Sequence, residues 1–217
     1  NPKLMDRFHV DLGKYQESSY GSQVLVAVDG VLAGYFSVAD TVKGDAKSAV
    51  ANMKKMGIHT AMLTGDGKAN AAAVANELEI DSFYARLLPQ DKLNRLGSLR
   101  KKYGSVMFVG DGINDAPVLA AADVGAAMGS GADAAIEAAD VVYMTPSVEA
   151  IPQSIRIAKA AKAIAWQNVI FALTVKVLVM ILGLLSFASM WAAVFADTGV
   201  AMLCVLNSIR ILYRKND

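Results

Sequence analysis

Ser105-Val106-Met107-Phe108-Val109 runs directly into Gly110-Asp111-Gly112-Ile113-Asn114-Asp115-Ala116-Pro117, and this stretch decides how the chain folds. An apolar run of strand length that ends in Gly-Asp-Gly and opens into a helix-forming segment places two carboxylates and a carboxamide at the carboxyl edge of a sheet. Open α/β sheets bind their ligands there. Asp111 and Asp115 offer the hard oxygen ligands that Mg²⁺ prefers, and Asn114 offers an uncharged one. The glycines allow backbone to approach a phosphate closely. A Gly/Asp/Asn turn capping the next helix is the plainer alternative for any two of these residues.

Outward from this stretch, short apolar runs alternate with helical patterns. Towards the amino terminus, Ile58 to Leu63 reads as a strand ending in Thr64-Gly65-Asp66, Ala71 to Leu78 as a helix, Phe83 to Ala85 as a strand, and Pro89 to Tyr103 as a helix. Beyond the octet come a helix at 115–122, a strand at Val124 to Met128, a helix at 132–139 and a strand at Val141 to Met144. Alternation of this kind predicts a doubly wound parallel sheet. Before it, Ala46, Ala49, Val50, Met53 and Met56 share one helix face up to Gly57. Earlier still, Gln23–Val28 and Val31–Val38 flank Asp29-Gly30, a hairpin signal.

After Val148 the composition changes. Residues 148–165 carry Arg156, Lys159 and Lys162 on a helical pattern and read as an amphipathic stalk. Apolar segments at 166–186 and 190–212 each come near the ~20 residues that cross a bilayer. They are joined by a short uncharged turn at 187–189, and residues 213–217 form a tail. Arg156, Lys159 and Lys162 lie before the hairpin and Arg210, Arg214 and Lys215 after it, so both ends and the α/β domain are expected in the cytoplasm. A helical hairpin buried in a soluble protein is the alternative.

The bulk numbers agree with a mixed chain: 217 residues, 54% hydrophobic, mean hydropathy +0.37, with the apolar excess after Trp166. A net charge of +1 gives no footing for nucleic acid. Cys204 is the single cysteine and lies in an apolar run, where an inert buried thiol is expected. The chain opens at Asn1 with no methionine and no signal-peptide pattern, and is expected to be the carboxyl-terminal portion of a longer polypeptide.

Three strand-end loops, Thr64-Gly65-Asp66, Lys92 in Pro89-Gln90-Asp91-Lys92, and the octet, are expected to converge. Together they supply a hydroxyl, a fixed cation and a metal site, the parts a phosphoryl group needs. A nucleophilic carboxylate is missing. Asp40 is the nearest candidate, but it follows a hairpin strand and reads better as a helix cap or domain-junction residue. Within the apolar segments, Lys176 and Asp197 are ionisable residues at membrane depth, a functional hypothesis by default, with mutual neutralisation as the plainer reading. Asn168, eight residues before Lys176, shares its helix face.

Thr64-Gly-Asp, Lys92 and Gly110-Asp-Gly-Ile-Asn-Asp-Ala-Pro resemble the second, third and fourth motifs of the haloacid dehalogenase-like phosphotransferases, in the form used by P-type ATPases. The resemblance covers essentially the whole chain. It implies that Thr64, Gly65, Asp66, Lys92 and Asn114 serve phosphoryl transfer, that Asp111 and Asp115 serve Mg²⁺, and that ATP is the phosphoryl donor. The family's Asp-Lys-Thr-Gly-Thr nucleophile motif and its Cys-Pro-Cys membrane motif are absent from this sequence.

Asn1-Pro2-Lys3-Leu4-Met5 resembles the latter part of the Gly-Asn-x-x-Leu-Met segment of heavy-metal pumps. Asn1 is thereby a nucleotide contact, residues 1–38 the end of a nucleotide-binding domain, and 39–147 a phosphorylation domain lacking its first motif. Met190 to Gly199 with Lys176 resembles the last two membrane helices of the zinc/cadmium/lead-exporting branch, and the Tyr-Asn and Met-x-x-Ser-Ser patterns of the copper branch are absent. A carboxylate suits a borderline divalent cation better than it suits Cu(I). The resemblance thus implies a multi-pass plasma-membrane pump for Zn²⁺, Cd²⁺ or Pb²⁺, with Asp197 and Lys176 in the transport site. Two alternatives stay open: a membrane-tethered phosphatase, and a non-catalytic membrane-anchored module that binds metal or a partner.

Overall fold

The computed structural model describes residues 2–13, 15, 22–38, 41–187 and 189–213, so Asn1, Asp40, Arg214 and Lys215 lie outside the described residues. The chain forms two compact units, Asn1–Ala150 and Ile151–Asp217.

In the first unit, α1 (Pro2–Arg7) precedes an antiparallel hairpin of β1 (Ser22–Val28) and β2 (Val31–Val38). Asp29 and Gly30 have φ of 49° and 79°, as a two-residue turn that follows the strand twist requires. Met5, Val10 and Leu25 form its small core. Next, α2 (Ala46–Lys55) buries Ala46, Ala49 and Val50, the face expected from its spacing. It stops at Gly57 (φ 74°), where Gly57 N–H donates to Lys54 and Ile58 N–H to Met53, a Schellman closure.

Parallel strands β3 (Ala61–Leu63) and β4 (Ser82–Tyr84) flank α3 (Lys68–Glu77). Pro89 opens α4 (Pro89–Tyr103), whose first turn is tied by Leu88 N–H to the Asp91 carboxylate at 3.1 Å. Then come β5 (Met107–Gly110), α5 (Ala116–Ala121), β6 (Val124–Met128), α6 (Asp133–Glu137) and β7 (Val141–Tyr143). These last strands form a parallel sheet in the order β5-β6-β7. Leu119, Ala127 and Ala135 are its fully buried centre. Gly125 is required there, because a Cβ would collide with the Leu119 backbone of α5.

The α/β architecture with parallel strands is the expected one, and its described strands fall into two ladders. Among the described strands, β3 pairs only with β4 and β5 only with β6, so each keeps one edge without a strand partner. The strand expected at Ile58 to Leu63 is also shorter, because Thr60 turns its N–H and hydroxyl to Asp81, both at 2.8 Å.

In the second unit, α7 (Ala150–Leu184) is one continuous helix of 35 residues, with no break between the stalk and the apolar segment that the sequence had separated at 165/166. No glycine or proline falls between Ser154 and Leu182 to interrupt it. The second apolar helix runs Met190–Ile209 in three parts: α8 (Met190–Val194), a π-turn (Phe195–Gly199) and α9 (Val200–Ile209). Both helices are long and apolar enough to cross a membrane. No residue in the apolar stretch of α7 is buried, unlike the core helix of a soluble protein.

Asp81 also receives Lys54 Nζ at 3.1 Å. The Thr60 N–H lowers its pKa most, burial opposes, and the Thr60 hydroxyl and Lys54 add, with a net fall to about 2. A carboxyl held below its unfolded value of about 3.9 stabilises the fold above that pH and loses the contribution as pH falls towards 2. Denaturant unfolding between pH 5 and pH 2.5 should therefore show a steeper loss for wild type than for Asp81→Asn. Parallel losses would contradict this account.

Candidate functional site

Thr64 follows β3 directly. Its N–H donates to Tyr84 O at 3.0 Å and its carbonyl accepts from Leu87 N–H at 3.0 Å, which ties this loop to the segment leading into α4. The Thr64 hydroxyl donates to the Asp66 carboxylate at 2.8 Å and accepts from Asp66 N–H at 3.1 Å. The hydroxyl is thereby held by its own loop, in a self-contained turn. A Cβ at Gly65 would stand 3.5 Å from Leu87 O, an ordinary contact.

Lys92 lies in the first turn of α4, beyond the capping pair Leu88 and Asp91. It reaches across to Asp115 of the octet, with Nζ 2.7 Å from Oδ1, and both side chains are only 15% exposed. This ion pair joins the loop system after β4 to the one after β5, two strands that share no ladder. Asp115 ends the single 3₁₀ turn Ile113–Asp115 and folds back over Gly110, where a Cβ would meet Asp115 Cβ at 2.9 Å. Gly110 therefore has a steric reason, and Asp115 has a cationic partner that its residue type alone did not specify.

Asp111 is exposed, at the carboxyl end of β5. Its carbonyl accepts from Ala132 N–H at 2.8 Å, and a Cβ on Gly131 would come within 2.7 Å of that oxygen. The Gly129-Ser130-Gly131-Ala132 loop after β6 thus fixes the Asp111 backbone, a role the sequence reading missed. A Gly-x-Gly at a parallel strand end was the available signal. Asn114 is exposed beside it. Among the described residues no group of three His, Cys, Asp or Glu side chains forms a ready metal cage.

In the second unit Lys176 Nζ lies 2.9 Å from Asp197 Oδ1, joining the two apolar helices. Asp197 sits inside the π-turn, a local irregularity that often marks functional positions. The pair borders a cleft of about 460 Å³ shared with Met180, Met190 and Ala193. Gly199 closes the turn against the Phe195 ring, whose Cδ2 stands 2.6 Å from where a Cβ would be. Asn168, expected on the Lys176 face, binds α9 through Cys204 and Ser208, so both residues turn to the second apolar helix.

Parallel βα units with acidic and basic residues at their carboxyl ends define an α/β domain of the kind that binds its ligand at that edge. The chain belongs to the haloacid dehalogenase-like hydrolase family, whose sequence profile matches residues 1–123. Its relatives narrow the likeness. The cadmium, zinc and cobalt-transporting ATPase of Bacillus subtilis (strain 168) is 49% identical over 221 residues, covering 100% of this chain and 31% of that protein. The zinc-transporting ATPase of Synechocystis sp. is 45% identical over 97% of this chain and 30% of its own length. A crystal structure of a zinc-transporting PIB-type ATPase in the E2.Pi state matches with a TM-score of 0.81 at 35% identity, over 97% of this chain and 33% of that one. The chain therefore spans about a third of the length of these relatives.

Replacing Lys92 by Met would leave the half-buried Asp115 carboxylate without its counter-charge. We expect a loss of about 1.5–3 kcal/mol for this charge-assisted bond. A double-mutant cycle of Lys92→Met with Asp115→Asn, read by denaturant unfolding, should return a coupling of that order. Strict additivity would show that the two side chains do not depend on each other.

Proposed function

We propose that this chain is the carboxyl-terminal part of an ATP-driven pump that exports a divalent heavy-metal ion through an aspartyl-phosphate intermediate. The observation that carries the reading is the Lys176–Asp197 pair, 2.9 Å apart between two apolar helices, in the same chain as a haloacid dehalogenase-like domain. A soluble phosphatase has no use for such a pair, and a charge at membrane depth is costly unless it serves transport or is paired.

In this reading Thr64 and Lys92 hold the transferred phosphoryl group, with Gly65 leaving room for it and Asp66 orienting the Thr64 hydroxyl. The nucleophilic aspartate comes from residues outside this sequence, since no Asp-Lys-Thr-Gly-Thr is present. The unpartnered edges of β3 and β5 support insertion of the strand that would carry it. Asn1 would contact the nucleotide.

The donor set fits Mg²⁺ in the way that ion is usually held, by one or two carboxylates with phosphate oxygens and water completing the shell. Asp111 presents an exposed carboxylate on a pinned backbone, Asp115 a second carboxylate restrained by Lys92, and Asn114 an amide beside them. When bound, the ion would neutralise charge developing on the phosphoryl oxygens.

The transported ion is Zn²⁺, Cd²⁺ or Pb²⁺, classes that a carboxylate site accommodates better than Cu(I). Lys176 serves as a built-in countercharge that takes over Asp197 once the ion leaves. The two helices lie in the plasma membrane of the cell as the last spans of a multi-pass protein, with the α/β domain cytoplasmic, as the basic residues flanking the hairpin support.

Expressed alone, residues 1–217 should give no acid-stable phosphoenzyme with ATP, and a labelled band would overturn the missing-nucleophile argument. In the full-length protein, Asp197→Ala should abolish Zn²⁺-stimulated ATP hydrolysis. Lys176→Ala should slow turnover, and a pump lacking Lys176 that released metal normally would remove the countercharge role.

A further inference from the structure

The two apolar helices carry a second polar cluster, which the proposed transport chemistry leaves unused. Asn168 of α7 donates through Nδ2 to Cys204 O at 3.1 Å and to Ser208 Oγ at 2.9 Å. Its Oδ1 accepts from Asn207 Nδ2 at 2.8 Å, and Asn207 Oδ1 accepts from Arg210 at 2.8 Å. The Cys204 thiol donates to Asn168 O at 3.7 Å. Both amides thus spend their oxygens and at least one N–H within the protein, and both are half-buried.

We infer that Asn168 and Asn207 form an amide clamp that sets the register of the two helices and so brings Lys176 against Asp197. They are positioning residues rather than ligands of the transported ion. The inference rests on Lys176 and Asp197 being the transport site.

Two observations carry it. The first is saturation: an amide whose oxygen already accepts from a neighbour has little to offer a cation, whereas between apolar helices such bonds are the specific attachment available. The second is geometry. Eight residues separate Asn168 from Lys176 and ten separate Asp197 from Asn207. As straight α-helix these legs span about 12 Å and about 15 Å. The π-turn at Phe195–Gly199 lies at the Asp197 end of the longer leg, and its extra residue per turn shortens that leg towards the other. A slip at the clamp by one helical turn, about 5.4 Å, would carry Asp197 beyond the 2.9 Å contact with Lys176.

The test uses the full-length protein in membranes, with Asn168→Leu, Asn207→Leu, the double variant and the milder Asn207→Asp. Two readouts are taken: the rate at which N-ethylmaleimide alkylates Cys204, followed by mass spectrometry, and the Zn²⁺ concentration that half-saturates ATP hydrolysis. We expect each Leu variant to raise alkylation at least threefold and the half-saturating Zn²⁺ at least tenfold, with the double variant no worse than the worse single. Asn207→Asp, which replaces the donor to Asn168 by a carboxylate oxygen and keeps an acceptor for Arg210, should move both in the same direction, and it decides the matter if a Leu variant fails to insert. Unchanged alkylation, or raised alkylation with a wild-type Zn²⁺ response, would overturn the clamp. Failure of the underlying site reading looks different, since Asp197→Ala would then keep its Zn²⁺ dependence.

Discussion

Lys92 and Asp115 hold together what the backbone leaves apart. The parallel pair β3–β4 and the parallel trio β5-β6-β7 share no hydrogen-bond ladder, yet the loops at their carboxyl ends meet through this 2.7 Å ion pair. Its 15% exposure places it where the effective dielectric is well below that of water, so neither charge is well served without the other. The pair also divides labour between neighbouring carboxylates. Asp115 is held in the pair, while Asp111, four residues earlier, is exposed.

Small residues make that arrangement possible. Gly110 lets Asp115 fold over the end of β5, Gly131 lets the loop after β6 reach the Asp111 carbonyl, and Gly125 lets α5 lie against β6. With Ala126, Ala127 and Ala135 fully buried, the layers pack too closely for larger side chains. Elsewhere in the first unit, Asp45 accepts from Ser147 Oγ at 2.6 Å and from Glu149 N–H at 3.2 Å, and Glu149 accepts from Asn52 Nδ2 at 2.6 Å. The Ser147 hydroxyl, then the Glu149 N–H, hold the Asp45 carboxyl below the usual range. The start of α2 is thus stitched to the residues just before α7.

The apolar helices follow a different economy. Their surface is apolar almost throughout, and their polar contacts gather at two levels, Lys176 with Asp197 and Asn168 with the face of α9. Between apolar surfaces hydrophobic burial gives little preference for one register over another, so a few hydrogen bonds and one irregular turn decide it.

Much was legible in the residues themselves. The period of two or 3.6, the Asp-Gly turn, Gly57 and Pro89 as helix punctuation, and the two apolar lengths report local backbone preference and water avoidance, which act within a few residues. They yielded the element order, and the loop residues Thr64, Lys92 and Asp111 to Asp115 emerged as a family motif. Three matters waited on the folded chain: which carboxylate Lys92 would take, how the strands divide into two ladders, and that Asn168 turns to α9. Each depends on groups 15 to 40 residues apart meeting in space. Partner choice over such separations is set by packing and register, which a one-dimensional pattern does not contain.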